Sequence, residues 1–139
     1  MSDGGFDPAK QGWVIRDDEP GFMVLVGPLW QRGSGEQISF GITVEPHHLN
    51  RRGVVHGGML MTFADQALGL TSRETTGGLP QATIQLDTHF IGPAVAGEFI
   101  ETKTRVVRRT RSLVFLEGQL LVGERVIASA KGIWKILGE

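Results

Sequence analysis

The run Gly57-Gly58-Met59-Leu60-Met61-Thr62-Phe63-Ala64-Asp65-Gln66-Ala67-Leu68-Gly69-Leu70-Thr71-Ser72-Arg73-Glu74-Thr75 decides how the chain is read. Met59, Leu60, Met61, Phe63, Ala64, Ala67, Leu68 and Leu70 set apolar side chains almost all round a helix. Thr62, Asp65, Gln66, Gly69 and Arg73 fall at spacings of three and four and form one narrow polar stripe. The pattern predicts a largely buried helix from Gly57 to about Thr75, roughly 28 Å long. Gly77-Gly78-Leu79-Pro80 stops it.

The sequence on either side reads as strand. Before the helix, Phe22 to Trp30 supplies Val24, Leu25, Val26 and Leu29. After the turn Gly33-Ser34-Gly35, the segment Gln37 to Val44 alternates Ile38, Phe40, Ile42 and Val44. These two make a hairpin, ended by Pro46, and His47 to Val55 reads as a loop. Beyond the helix, Ala82 to Ile91 alternates Ile84, Leu86, Thr88 and Phe90 against Gln85, Asp87 and His89. Phe99 to Val107, Leu113 to Val122 and Val126 to Ile136 follow, with connections short enough for antiparallel neighbours. Two strands, one long helix and four strands predict an α+β domain in a single unit over 1–139. Residues 1 to about 8 are expected as a loose tail.

Composition narrows the function classes. The chain has 139 residues, a formal net charge of −1, 40% hydrophobic and 21% charged residues. No global basic field draws it to nucleic acid or an anionic membrane. It has no cysteine, which removes disulfides, thiolate catalysis and cysteine metal sites and is compatible with a cytoplasmic location. No apolar run reaches the roughly 20 residues of a membrane span, and the N-terminus lacks the pattern of a secretory signal. His47, His48 and His89 are not at metal-ligand spacing, so no metal is expected, and the tryptophans read as packing residues.

The chemistry concentrates where Asn50-Arg51-Arg52-Gly53-Val54-Val55-His56-Gly57-Gly58 runs into the helix. Unpartnered N–H groups and the helix dipole meet at such a start, and a carbonyl turning into an oxyanion would be stabilised there. Gly57 N–H is the candidate donor, although two glycines also suit a plain tight turn into a packed helix. Asp65 is read in two ways, as an exposed helical carboxylate or as a partly desolvated one poised as base or nucleophile. It stands eight residues beyond Gly57, about 12 Å along the axis. That is too far for both to serve one carbonyl within one subunit. If both act, Asp65 meets the Gly57 of another chain across a two-fold axis.

At these residues the chain resembles the hotdog-fold acyl-CoA thioesterases, specifically the PaaI-like group of the 4-hydroxybenzoyl-CoA thioesterase superfamily. Asn50, Gly53, His56, Gly57, Gly58 and Asp65 match that family's pattern with its spacing. Thr83-Ile84-Gln85-Leu86-Asp87 and Phe90-Ile91-Gly92-Pro93-Ala94 match its strand leading into a Pro-Ala turn. The resemblance covers about residues 37 to 136. It implies a long central helix wrapped by a curved antiparallel sheet of about five to six strands, and a homodimer or a tetramer built from two such dimers. It implies an acyl-CoA substrate and no cofactor beyond the coenzyme A that the substrate carries. By the same carry-over, Gly57 N–H polarises the thioester carbonyl and Asp65 of the partner acts as nucleophile or general base. Asn50 orients water or substrate, His56 lines the carbonyl, and Thr83 stands where the family often has Ser. Gly58, Met59, Phe63 and Phe90 are expected at the substrate, and Arg108, Arg109 and Arg111 at the coenzyme A phosphates, where a solvated surface turn is an equal alternative. Two rivals remain: a hotdog hydratase or dehydratase using His56 and Asp65, and a non-catalytic acyl-CoA binding module.

Overall fold

The computed structural model describes residues 5–138. Of the expected tail, residues 1–4 lie outside the described residues. Further on, Phe6 stacks on Phe99 at 4.9 Å between ring centroids. Asp7 accepts the Ala9 N–H and caps a short turn, Pro8–Gln11, in which Pro8 is buried.

The helix forms where its pattern requires, as α2 (Gly57–Glu74). Leu60, Phe63, Ala64, Ala67, Leu68 and Leu70 are all buried along it. Gly77 and Gly78, at φ of 73° and 107°, turn the chain away, and Gly78 N–H closes back on Arg73 O at 2.9 Å. Around it curls one antiparallel sheet of seven strands, in the order β1-β2-β3-β5-β6-β7-β4. The strands are β1 (Val14–Arg16), β2 (Leu29–Arg32), β3 (Ser39–Thr43), β4 (Gln81–Phe90), β5 (Phe99–Arg109), β6 (Leu113–Val122) and β7 (Arg125–Ile136). This is the α+β hotdog layout that the resemblance implies, with seven strands rather than five or six.

The difference lies at the front of the chain. Phe22 to Trp30 is not one strand: Phe22–Val26 is a short helix, α1, and only Leu29 onward enters β2. A continuous apolar run has no period of two to hold it extended. Gly21, at φ 68°, lets the chain turn in, and Gly27 N–H closes the helix on Met23 O at 2.8 Å. β1, which pairs with β2, was not anticipated.

The concave face of the sheet grips α2 through Val114, Leu116, Leu120, Ala128, Ala130 and Trp134, all buried. Gly132 is required on that face, since a Cβ there would lie 2.5 Å from Gln85 O and 2.8 Å from the Trp134 ring. The order of the sheet leaves β4, its ten residues largely exposed, as one free edge. No helix is long and apolar enough to cross a membrane among the described residues.

Candidate active site

Helix α2 starts on His56. Its φ of −61° and ψ of 135° make it the cap, and its ring Nδ1 accepts the Gly58 N–H at 2.8 Å. Its carbonyl accepts Met59 N–H at 2.9 Å and Leu60 N–H at 3.1 Å. Gly57 N–H is thus the one amide of that first turn without an acceptor among the described residues. A neutral imidazole that accepts at Nδ1 carries its proton on Nε2.

The loop before it is pinned from three sides. Val55 N–H donates to Ala94 O at 2.9 Å, which fixes the loop to the Pro-Ala turn after β4. His56 N–H donates to His48 O at 2.8 Å. Asn50 Oδ1 accepts Arg52 N–H at 2.8 Å and Val54 N–H at 3.4 Å. The oxygen of Asn50 is therefore spent on the loop, and only its amide nitrogen is left for a water or substrate. His48 is buried; Nδ1 accepts Glu45 N–H at 3.0 Å and Nε2 reaches Val26 O at 2.7 Å. Burial, the largest cause, holds its pKa below 6.5, with His47 pushing the same way and the Val26 hydrogen bond and Glu45 opposing.

Asp65 is half-buried on α2, two turns further on. Thr83 Oγ1 donates to its Oδ1 at 2.7 Å. That bond depends on a bulge in β4. Thr83 pairs with Trp134 and Gln85 with Ile133, so Ile84 is the extra residue. The extra residue reverses the alternation, so that Thr83 and Leu86 both face inward. The regular alternation expected from the sequence would have turned Ile84 in and Thr83 out; instead Ile84 is 54% exposed.

Asp65 and Thr83 open into a cleft of about 210 Å³ whose walls include Glu19, Gln66, Gly69 and Gln81. A groove of about 610 Å³ lies elsewhere, on the outer face of the sheet among Asp87, Lys103, Arg105, Glu117 and Lys131. Neither Asp65 nor Gly57, the residues that the resemblance implicates, lines it; Asp65 opens into the smaller cleft. Glu19 and Gln81 escaped the sequence reading. Nothing in the local pattern joins Glu19 to a helix 47 residues on.

The other expected residues divide. Phe90, 55% exposed, lies beside Gly57, where an added Cβ would meet its ring at 3.3 Å. Gly58 is exposed at the helix start. Met59 packs partly buried against the core. Phe63, 1% exposed, is a core residue rather than part of an open pocket. Arg108 and Arg109 belong to β5, and only Arg111 stands in the turn. All three are exposed. Ile136 N–H reaches Ser112 O and Leu137 N–H reaches Pro80 O at that end of the sheet, beside the end of α2. The arginines and Gly57 thus lie at opposite ends of the helix. Among the described residues no group of three or more His, Asp or Glu is placed to hold a metal ion.

The helix, the wrapped sheet and the carboxylate cleft define the class. The family model described as the Thioesterase superfamily matches residues 52–128. The chain belongs to that superfamily. It is 34% identical over 136 residues to a Pseudomonas aeruginosa protein named as an esterase, with 95% of each chain covered. It is 27% identical to acyl-coenzyme A thioesterase 13 of Mus musculus, over 69% of each. In fold it is similar to the phenylacetic acid degradation protein PaaI of Thermus thermophilus, solved as a point mutant. The TM-score is 0.75 at 23% identity, over 84% of this chain and 98% of that one.

Proposed function

We propose that the chain hydrolyses the thioester of an acyl- or aryl-CoA to the free acid and coenzyme A. The observation that carries this reading is one rigid helix with a free amide at Gly57 and a half-buried carboxylate at Asp65. Gly57 N–H donates to the carbonyl oxygen as it gains charge. Thr83 holds Asp65 Oδ1, which leaves Oδ2 to take the proton of an attacking water or to attack the carbonyl carbon itself. With water as the nucleophile the C–S bond breaks to give the acid directly. If Asp65 attacks, C–S cleavage leaves a mixed anhydride that water then hydrolyses, and in both routes the thiolate takes up a proton.

The two groups come from different subunits, because about 12 Å of helix separates them within one. The small cleft supports this: complete ligand pockets usually enclose about 300–1,000 Å³. The exposed edge β4 supports it too, since an unpaired strand is a template for pairing with another copy. Subunits join at β4 into a homodimer, or a tetramer of two dimers, that works in the cytoplasm. Arg108, Arg109 and Arg111 contact the coenzyme A phosphates, with Phe90 of the subunit that supplies Gly57 beside the carbonyl. The His56 proton sits on Nε2, which suits a hydrogen-bond donor to the carbonyl rather than the base a hydratase needs.

The test is thiol release from a panel of acyl-CoAs by the wild type and by Asp65→Asn. Release by the wild type, lowered about 10²–10⁴-fold in kcat in the variant with the fold unchanged, is the expected result. No release from any thioester would favour a binding module, and loss of water from a 3-hydroxyacyl-CoA would favour a dehydratase.

A further inference from the structure

One polar group in the cleft has no part in the mechanism above. Gln66 follows Asp65 on α2, and its Nε2 donates to Glu19 Oε1 at 2.6 Å. Glu19 is fixed in turn: its other oxygen accepts Arg16 Nε at 2.6 Å, and Arg16 Nη1 donates to Gln31 at 2.8 Å. The Glu19 side chain is only 15% exposed. A carboxylate can only accept, so it dictates which way the Gln66 amide faces. The amide nitrogen is committed to Glu19. The carbonyl oxygen is turned away from it and has no donor among the described residues. Both residues line the Asp65 cleft, whose walls also include buried Leu70 and Trp134.

We propose that Gln66, oriented by Glu19, determines specificity by accepting a hydrogen bond from a donor on the acyl group, such as a hydroxyl. This rests on the thioesterase reading and names the substrate class of that same site. The buried Leu70 and Trp134 give the cleft a closed wall, which suits the acyl end of the substrate, since the coenzyme A arm has to lead out to solvent. An acyl group without a donor leaves the Gln66 oxygen unpaired once water is expelled, and that difference separates the two substrates. Arg73 is the cation on the cleft wall, and it is exposed and directed to Gly78 O at 3.2 Å.

The experiment compares kcat/KM for butanoyl- and hexanoyl-CoA with their hydroxylated counterparts, the hydroxyl at each carbon from C2 outward, and with 3-oxobutanoyl-CoA. The enzymes are the wild type, Gln66→Leu and Glu19→Gln. The wild type is expected to favour one hydroxylated isomer over its parent by roughly tenfold. In Gln66→Leu that ratio falls toward one. In Glu19→Gln the Gln66 amide is free to turn, so the hydroxyl preference drops and the 3-oxo substrate, which can only accept, gains relative to the wild type. A merely structural role would lower all substrates together and leave the ratios alone. Equal losses for every substrate in Gln66→Leu would assign the donor to the coenzyme A arm and overturn the proposal. So would a wild type that hydrolyses parents and hydroxylated forms alike. Absence of thiol release from every substrate would instead overturn the thioesterase reading, and this proposal with it.

Discussion

In the proposed mechanism the Thr83 hydroxyl, 2.7 Å from the Asp65 carboxylate, holds one of its oxygens. A hydrogen bond to a charged group is worth about 1.5–3 kcal/mol. Thr83→Val keeps the shape and removes the hydroxyl, so kcat/KM should fall about ten- to a hundredfold in a thiol-release assay. At Gly57 the donor can be removed with the helix kept, the exposed Phe90 ring giving way by a few tenths of an ångström. Proline suits the first helical position, and His56 already has the extended backbone that a residue before proline adopts. Gly57→Pro should therefore fold, by circular dichroism, and lose about 10²–10³-fold in kcat. His48 makes a separate prediction about stability. Its folded pKa lies below its unfolded value, so the unfolded chain takes the proton more readily. The stability that neutral His48 contributes is complete above about pH 6.5 and is lost as the pH falls below it. Urea midpoints measured from pH 8 to 5 should drop on the acid side. His48→Gln should flatten that part of the profile, at an overall cost of about 1–3 kcal/mol for the groups left unpaired.

Among the elements, the helix and the last three long strands were legible in the sequence because each is long and strongly periodic. Leu113 to Val122 was read to the residue, and Gly57–Glu74 to within one. Of the features that were not legible, two show different reasons. Phe22–Val26 is apolar without interruption, and such a run fits a strand or a helical turn equally well until the glycines on either side decide. The bulge at Ile84 depends on pairing with β7, and a partner strand about 50 residues away leaves no mark on local alternation. The site was legible to the same degree. Asp65, Gly57 and Thr83 stand out as candidates because they fit a motif, whereas Glu19 reaches Gln66 only through the fold. Deleting Ile84 tests the bulge. Pairing would become regular with Thr83 still opposite Trp134 on the inner face. Thiol release should therefore stay well above that of Thr83→Val, and the far-ultraviolet spectrum should stay that of the parent. A loss as deep as in Thr83→Val would show that the bulge itself aims Thr83 at Asp65.

The molecule as a whole brings the long helix α2, the sheet and the edge strand β4 together. β4 carries Thr83 on its inner face and offers its unpaired backbone outward, so the strand that completes the carboxylate site is also the strand on which a second copy would build. An active centre shared by two chains makes enzymatic activity conditional on assembly. The most direct test mixes two inactive proteins. Asp65→Asn and Gly57→Pro are unfolded together and refolded as a mixture, and thiol release is compared with that of each alone. In a mixed dimer one centre combines both lesions, while the other combines the intact Asp65 of one chain with the intact Gly57 of its neighbour. The account predicts recovery of about a quarter of wild-type turnover in an equal mixture. A mixture no more active than its components, although mixed dimers are present, would contradict it and place the whole reaction within one chain.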